Sequence, residues 1–413
     1  MQWDRYTRKQ VREVVDKAIS QNLNYRNQII LGLPGSFLDP EEFYEDAPFL
    51  QDSPFLKTLV ANPNHIGCHT LGDGEPAFQG TAEIERDLLE ICACEIFRAK
   101  PDEFDGYVAS GGTEANLQAM WIYRNYFQQK HAAKLDEIAV LYSEDTHYCV
   151  PKGLNMFQLN GHIMPVDEET RKIDLDHLRK SLEQLKAAEV KYLITYMNLG
   201  TTMFGSVDPV NEIGDLFTEM EFEFFMHGDG AFGGFIYPFS NPDSEFHFEN
   251  PYLNSFTLDA HKMLQAPFGT GIFLIRKGFM EYALTEEAGY VKGLDYTMIG
   301  SRSGANAVAV WMILRNYGSE GWTYKIRKLV DRTSRLCDSL DERGISYYRD
   351  PFMNIVTIHA SDIPAHLAEK FLLVPERHDG QNKWWKIVVM EHVTQGALDL
   401  FLNELPAMKI QNS

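Results

Sequence analysis

The feature that most constrains the fold of this chain is a regular alternation of short apolar segments with longer segments of helical periodicity, from about residue 106 to residue 277. The apolar segments predict strands at 106–110, 138–144, 162–166, 191–197, 222–229 and 271–277. The periodic segments predict helices at 113–129, 175–188 and 209–220, with a short helix after His147. Strands that alternate with helices are typical of βαβ units. We therefore predict an α/β fold whose mainly parallel sheet is covered by helices on both faces.

The segments on either side of this region have a different pattern. A helical stretch, Tyr6–Gln21, and a proline-rich segment, Leu33–Pro54, precede it. Two helices near Ser303–Tyr317 and Gly321–Glu342 follow it, before a region of short strands and a final helix. A chain of 413 residues is long enough for more than one domain. We expect an N-terminal helical and extended segment (1–60), a large domain (61–300) and a smaller C-terminal α/β domain (301–413).

Composition limits the partners that this chain can have. Its 59 acidic and 38 basic residues give a net charge of −21, which repels nucleic acid and anionic lipid. The first residues lack the apolar core of a signal peptide, and no apolar run is long enough to cross a bilayer, so we expect a cytoplasmic protein. The five scattered cysteines fit reduced thiols. Cys92 and Cys94 have no neighbouring ligands, so we expect no metal site and interpret both as buried side chains on a helix.

Ligands of open parallel sheets bind beyond the carboxyl ends of the strands, and polar residues occur at several such positions. The sequence SGGTEAN (110–116) follows a predicted strand and opens a helix. Its small residues allow backbone N–H groups, with the hydroxyl of Ser110 or Thr113, to hold an anion. The same residues also fit an ordinary turn that Thr113 caps. The segment lacks the G-x-G-x-x-G spacing of dinucleotide-binding folds, which disfavours a Rossmann interpretation.

His147 and Asp229 also follow apolar strands. A histidine at a strand end either forms structural hydrogen bonds or stacks on an aromatic cofactor. Asp229 ends a very apolar strand, and a buried carboxylate requires a partner. That partner is a nearby arginine, the backbone of a turn, or the protonated nitrogen of a pyridine ring. The small residues Gly228, Gly230 and Ala231 leave room for such a ring.

Lys262 lies in the segment NSFTLDAHKMLQAPFGTG, after a probable buried strand. Most lysines are exposed, so this position is unusual. A desolvated lysine has a lowered pKa and attacks aldehydes, although a loop lysine can also extend its ammonium group into solvent. Together with Thr113, His147 and Asp229, also placed at strand ends, Lys262 predicts a site for pyridoxal 5′-phosphate (PLP), bound to the lysine as a Schiff base.

The motifs SGGTEAN, DTHY, NLGTT, HGDGAFGG and DAHKM, in this order, resemble the group II PLP-dependent decarboxylases of the aspartate-aminotransferase-like fold. This family includes glutamate, aromatic amino-acid, histidine and archaeal tyrosine/aspartate decarboxylases, and the resemblance covers roughly residues 60–320. The segments GSRSGANAVAVW (300–311) and WKIVVMEHV (385–393) are more similar to the compact histidine and archaeal members. The resemblance implies PLP fold type I.

The resemblance also implies roles for individual residues. Lys262 would form the Schiff base, Asp229 would pair with the pyridinium nitrogen, and His147 would stack on the ring. The other positions that match cofactor-binding residues are Gly112 and Thr113 in the phosphate-binding turn, His261 beside the phosphate, Thr202 near the cofactor and Ala231 under the ring. Asp259 departs from several relatives, which place Ser or Asn beside the phosphate. The archaeal members share this Asp, so only its direct phosphate contact is in question.

We therefore expect α-decarboxylation of an L-amino acid (histidine, an aromatic or an acidic amino acid) to the amine and CO2, by a homodimer. Transamination or carbon–sulfur lysis on the same scaffold, or a non-catalytic PLP-fold binding protein, are the alternatives. His147 and Lys262 are both candidates for the later proton transfer. His65, His69 and Gln79 could approach the substrate, but we expect solvated loop histidines. Arg302 faces a substrate carboxylate or forms a structural ion pair.

Overall fold

The structure is a computed structural model, and it describes residues 6–21, 28–33, 54–72, 76–284, 294–377 and 382–405. The described strands are β1 (Asn64–Ile66), β2 (Phe104–Ala109), β3 (Ile138–Ser143), β4 (Asn160–Met164), β5 (Tyr192–Asn198), β6 (Glu223–Gly230), β7 (Leu253–Asp259), β8 (Gly271–Arg276), β9 (Ser301–Ser303), β10 (Tyr347–Tyr348), β11 (Ile355–His359), β12 (Val374–Pro375) and β13 (Trp384–Val388). The described α-helices are α1 (Arg8–Ser20), α2 (Pro54–Ala61), α3 (Gln79–Glu90), α4 (Gly112–His131), α5 (Cys149–Phe157), α6 (Leu175–Ala187), α7 (Val210–Glu219), α8 (Tyr237–Ser240), α9 (Gly304–Asp341), α10 (Ala365–Lys370) and α11 (Gln395–Glu404). Apart from its two end residues, the predicted proline-rich segment Leu33–Pro54 lies outside the described residues.

Seven strands form the main sheet, in the order β2-β8-β7-β6-β5-β3-β4. Strands β4, β3, β5, β6 and β7 are parallel to one another, whereas β8 is antiparallel to both β7 and β2. Every residue of β2 and β3 is buried, as is typical of strands covered on both faces. The prediction of an α/β fold with a mainly parallel sheet is confirmed, and all six predicted apolar segments contain strands.

The C-terminal part has its own antiparallel sheet, in the order β10-β11-β13-β12. An N-terminal stretch joins it, because the Val388 N–H donates to the Leu31 carbonyl and the Leu31 N–H donates to the Phe371 carbonyl. Helix α9 is interrupted at Gly318, whose φ of 61° and ψ of 177° fit glycine far better than other residues. The two helices predicted here are therefore confirmed. The division of the chain into three parts stays a prediction.

All five cysteines lie among the described residues and are free thiols. Cys92 and Cys94 occupy a π-helical turn, Ile91–Ile96, that follows α3. Cys92 is buried, but Cys94 is only partly buried, so the prediction of two buried side chains is wrong for Cys94. Residues two apart on a helix point in nearly opposite directions, so both cannot face the core. None of the described helices is long and apolar enough to span a membrane.

Candidate active site

A cavity of about 320 Å³ opens at the carboxyl ends of the parallel strands, where open α/β sheets bind ligands. All the residues that the sequence predicts to contact the cofactor line it, namely Gly112, Thr113, His147, Thr202, Asp229, Ala231, His261 and Lys262. The sequence interpretation missed other lining residues, among them Asn116, Tyr148, Asn198, Thr201 and Phe232. Motifs widely separated along the chain therefore meet around one space.

The N-terminus of helix α4 forms one wall of the cavity. Its N-cap is Gly111, and no side chain caps the helix, so the alternative interpretation, an ordinary turn that Thr113 caps, does not hold. The first N–H groups of a helix lack partners within the helix and attract anions. A Cβ atom added to Gly112 would lie 2.8 Å from Oδ2 of Asp259 and 3.2 Å from Cβ of Ala231. The wall therefore requires a glycine at this position.

Lys262 lies in the cavity just after the end of strand β7. The strand ends at Asp259, and Oδ2 of this residue lies 3.3 Å from Nζ of Lys262. Lys262 is 26% exposed, so it is less desolvated than its apolar sequence surroundings suggested. His261 stacks on Phe268 with 4.6 Å between the ring centroids, and burial lowers the pKa of His261. The ion pair with Lys262 explains how the fold tolerates a carboxylate beside an anion-binding helix end.

Asp229 lies at the end of β6 and is 7% exposed. The Asn116 side chain donates from Nδ2 to Oδ2 of Asp229 at 2.7 Å, and the Ala231 N–H donates to Oδ1 at 3.1 Å. Within the described residues Asp229 has no ion-pair partner, so the arginine that the sequence left open does not occur there. Asn116 could have been found from sequence, since it follows Gly112 and Thr113 by four and three residues and thus shares their helix face.

His147 lies just after β3 and is partly buried. Its Nδ1 accepts a hydrogen bond from the Cys149 N–H at 3.3 Å, and burial lowers the pKa of His147. A neutral ring whose Nδ1 accepts carries its proton on Nε2. The ring also contacts Tyr148, with 4.1 Å between the centroids. The histidine thus combines a structural hydrogen bond with a position on the cavity wall.

Thr202 connects the cavity to the C-terminal sheet. Its side chain is exposed, and its carbonyl accepts a hydrogen bond from Nζ of Lys386, on β13, at 3.0 Å. Lys386 is 6% exposed. Burial, with a contribution from the charge of Lys262, lowers the pKa of Lys386 to about 8. No pattern in the sequence indicates this lysine, since its burial depends on packing between two distant segments.

The prediction of solvated histidines is wrong for His65 and His69, which are 1% and 3% exposed. Glu85 approaches Nδ1 of His65 at 2.5 Å and Nε2 of His69 at 3.3 Å. Its other oxygen accepts from Nη1 of Arg302 at 2.7 Å and from the Val108 N–H at 2.7 Å. Arg302 thus forms the structural ion pair, one of its two predicted alternatives.

Donor atoms of His65, His69 and Glu85 lie within 4.8 Å of one another, a spacing that a metal ion could use. The guanidinium of Arg302 already supplies positive charge to this carboxylate. In the structure, Glu85 forms a buried network with His65 and Arg302. Gln79 is exposed and donates to Glu83 at 3.3 Å.

The cavity has the chemical features that PLP requires. An uncapped helix N-terminus can hold a phosphate, and the buried carboxylate of Asp229 lacks a cationic partner among the described residues. The amine of Lys262 and the ring of His147 both line this cavity. On a mainly parallel sheet with an additional antiparallel C-terminal sheet, this arrangement defines the class of PLP enzymes of fold type I.

Comparison with known proteins identifies the family. The family model of the pyridoxal-dependent decarboxylase conserved domain matches residues 82–347. The chain is 47% identical to the tryptophan decarboxylase of Clostridium sporogenes over 98% of its own length and 97% of the relative's length. It is 30% identical to the "Probable L-tyrosine/L-aspartate decarboxylase" of Methanocella arvoryzae, over 85% of this chain and 92% of the relative. The chain belongs to the pyridoxal-dependent decarboxylase family.

Solved structures agree on the fold. L-methionine decarboxylase from Streptomyces sp. 590 matches with a TM-score of 0.75 at 20% identity, over 96% of this chain and 94% of that chain. Glutamate decarboxylase of Lactobacillus brevis matches with a TM-score of 0.77 at 17% identity, over 98% and 90%. The predicted fold type I is confirmed. Family and fold together make this chain a PLP-dependent amino-acid decarboxylase, and the alternatives of transamination, carbon–sulfur lysis and non-catalytic binding are not supported.

Proposed function

We propose that the substrate is an aromatic L-amino acid, and specifically L-tryptophan, which is converted to tryptamine and CO2. The observation that carries this proposal is the 47% identity, over nearly the whole chain, to a tryptophan decarboxylase. A second cavity of about 520 Å³ shares His147, Tyr148 and Thr202 with the first and is also lined by Phe204 and Trp384. It offers room and aromatic contacts for a large flat side chain.

Four carboxylates and three basic side chains line the second cavity, which does not favour an acidic substrate, although Arg377 has no acidic partner among the described residues. Arg171 already faces Asp145 at 2.5 Å, and Lys383 already faces Glu168 at 3.1 Å. A substrate carboxylate would have to compete with these carboxylates for their basic partners. An uncharged aromatic side chain has no such competition.

We propose the following roles around the first cavity. PLP, when bound, supplies the electron sink for decarboxylation. Lys262 would hold it covalently, the N–H groups of Gly112 and Thr113 would hold its phosphate, and Asp229 would keep a proton on its ring nitrogen. His147 and Ala231 would contact the ring, and His261 and Thr202 would complete the lining of the site. The absence of an ion-pair partner for Asp229 among the described residues supports its assignment.

Proton transfer to the substrate carbon after CO2 loss is assigned to His147. Its Nδ1 accepts from the Cys149 N–H, so the neutral ring holds a proton on Nε2. To donate this proton without becoming an imidazolate, the ring would first have to take up a second proton on Nδ1, in place of the contact with Cys149. Lys262, the other candidate, lies on the same cavity and can restore the covalent link to the cofactor once the amine forms. The variant His147→Ala, which lacks Nε2, tests this assignment. A large loss of turnover would support His147 as the proton donor, and normal turnover would support Lys262.

Two further properties are proposals. A homodimer is supported by large apolar side chains exposed near the cavity mouth, since Phe268 is 79% exposed and Tyr148 is 66% exposed. A cytoplasmic location is supported by the five free cysteines. Analytical ultracentrifugation of the holoenzyme tests the first of these, and fractionation of the source cells tests the second.

The substrate proposal is tested by supplying PLP and comparing tryptophan, tyrosine, phenylalanine, histidine, glutamate and methionine under identical conditions. Amine and CO2 are both measured, and Lys262→Ala is the inactive control. We expect the highest kcat/KM for tryptophan, with the other aromatic amino acids next. A higher kcat/KM for glutamate, histidine or methionine would refute the proposal.

A further inference from the structure

His227 is a fully buried histidine directly beneath the proposed cofactor site. It lies on β6 two residues before Asp229, so both side chains point to the same face of the sheet. Its side chain is 0% exposed. Nε2 lies 2.8 Å from Oδ1 of Asn116 and 2.9 Å from Oγ1 of Thr257, and Nδ1 lies 2.6 Å from Oγ of Ser255. The ring therefore contacts the same amide that donates to Asp229.

The carboxylate of Asp229 determines the direction of these hydrogen bonds. A carboxylate only accepts, so the amide nitrogen of Asn116 must face Oδ2 of Asp229, at 2.7 Å. The amide oxygen of Asn116 then faces His227 and requires a donor there. Nε2 of His227 must consequently carry a hydrogen. The opposite tautomer would place lone pairs of Nε2 and Oδ1 against each other at 2.8 Å.

The directions of the hydrogen bonds farther from the cavity can be assigned in the same way. Burial lowers the pKa of His227 to about 4, so the ring is neutral near pH 7 and Nδ1 is an acceptor. The Ser255 hydroxyl must donate to it, and the oxygen of Ser255 then accepts from the Tyr123 hydroxyl, at 2.5 Å. Tyr123 and Ser255 are 0% exposed and Asn116 is 2% exposed, which leaves these groups little access to solvent.

We propose that His227 is a positioning residue that acts as the neutral Nε2–H tautomer and fixes the Asn116 amide, so that the amide holds the Asp229 carboxylate toward the ring nitrogen of the cofactor. This inference rests on the proposed role of Asp229. The ordered hydrogen bonds run from Tyr123 through Ser255, His227 and Asn116 to Asp229, and each donor in such a chain polarises the next.

The tautomer is the direct test, because it can be read without activity. Holoenzyme labelled with [15N]histidine is examined by long-range 1H–15N NMR at pH 7, and the His227 signal is identified by its absence in His227→Gln. We expect a protonated Nε2 and an unprotonated Nδ1. An Nδ1–H tautomer or a doubly protonated ring at this position overturns the proposal, whatever the role of Asp229.

Two variants test the positioning effect. Gln can place an amide donor near the Nε2 position of the histidine, whereas Leu has none. We expect His227→Leu to lower kcat by about tenfold or more with KM changed less than about threefold, and His227→Gln to recover most of kcat. Thr257→Val is the matched control, because it removes the other contact of Nε2 and leaves Asn116 in place. We expect its kcat to stay within about threefold of wild type.

Cofactor affinity gives a second readout for the same variants. PLP binding to each protein is titrated by absorbance, and far-UV circular dichroism verifies the fold. We expect the dissociation constant to rise in the order wild type, His227→Gln, His227→Leu. Equal kcat and equal affinity in His227→Leu and wild type would overturn the proposal. If Asp229→Ala also had wild-type kcat, the proposed function would fail instead, and the NMR result would still decide the tautomer.

Discussion

Oδ2 of Asp259 lies 3.3 Å from Nζ of Lys262, and the same oxygen lies at the N-terminal end of α4, 2.8 Å from the position of a Cβ atom on Gly112. One carboxylate therefore forms an ion pair with the lysine that we assign to the cofactor and adjoins the helix end that we assign to its phosphate. The first contact is attractive. The second opposes a phosphate through like charge.

Removing this charge while keeping the side-chain shape should strengthen phosphate binding. We expect Asp259→Asn apoenzyme to bind inorganic phosphate about three- to tenfold more tightly than wild type at low salt, with a smaller difference at high ionic strength. Calorimetric titration at two salt concentrations measures it, and the exposed Asp243→Asn serves as the charge-matched control. Weaker phosphate binding by Asp259→Asn would mean that the carboxylate orients the phosphate-binding turn instead of repelling the anion.

Much of this arrangement could be predicted from sequence, because strand periodicity places Ser110, His147 and Asp229 at strand ends, and parallel strands bring their carboxyl ends to one edge. The pairing of Asn116 with Asp229 could not be predicted in the same way. It joins residues 113 positions apart through one rotamer of a side chain inside a helix. Local patterns do not specify that rotamer.

The burial of His65 was missed for a related reason. A histidine in a polar loop segment is ordinarily solvated, and its actual environment depends on Glu85 and Arg302. These residues reach it from α3 and β9, and Arg302 lies directly opposite His65 in the β1–β9 pair. Sequence periodicity identifies which elements form, but it does not identify which charged groups from distant elements meet.

Lys262 should be required for covalent attachment of PLP. We expect Lys262→Ala to lose the visible absorbance of the Schiff base and trapping by borohydride, because no other lysine among the described residues lines this cavity. Non-covalent binding of PLP should remain, since the helix N-terminus and Asp229 are intact. The exposed Lys277→Ala is the matched control and should behave as wild type in both measurements. Retention of both signals in Lys262→Ala would contradict the assignment.

Asp229 should matter for the reaction far more than for the fold. Asp229→Ala removes the charge that we assign to the ring nitrogen, and we expect kcat to fall by at least about a hundredfold. The melting temperature should change little, because the carboxylate has no ion-pair partner among the described residues. Steady-state kinetics and thermal unfolding on the same preparation measure both. Near-normal turnover would remove Asp229 from the mechanism.

Lys386 should make the stability of the protein depend on pH. Burial lowers its pKa to about 8 in the folded state, below its ordinary value, so between these two pKa values the unfolded chain binds more protons. The free energy of unfolding therefore rises with pH across this window. Lys386→Met lacks this contribution. We expect wild type to gain up to about 3 kcal/mol relative to Lys386→Met between pH 8 and about pH 10.5.

Denaturant unfolding of both proteins at several pH values measures the Lys386 difference. Lys386→Met also loses the hydrogen bond to the Thr202 carbonyl. This loss shifts the difference in the free energy of unfolding by a constant amount and does not change how that difference depends on pH. A difference in stability that is independent of pH across this window would show that the Lys386 ammonium is not disfavoured in the folded protein.

Glu85 and Asp87 lie on the same helix, α3, and each forms an ion pair with an arginine. Glu85 and Arg302 are both buried, whereas Asp87 and Arg315 are 39% and 51% exposed. Removing one charge of a buried pair leaves the other uncompensated. We therefore expect Glu85→Gln to lower the free energy of unfolding by about 3–5 kcal/mol, and Asp87→Asn to lower it by less than about 1 kcal/mol.

The pH dependence of these two variants separates charge from packing. Burial raises the pKa of Glu85, but Arg302 and His65 more than offset this effect and hold it well below its ordinary value. A carboxylate with a lowered folded-state pKa contributes stability above its ordinary pKa and loses it as the pH falls toward the folded value. The gap between wild type and Glu85→Gln should therefore narrow below about pH 4.5. Gln keeps the shape of Glu but not its charge, so an equal gap at pH 7 and at the lowest pH where the fold persists would show that the charge of Glu85 does not cause the loss.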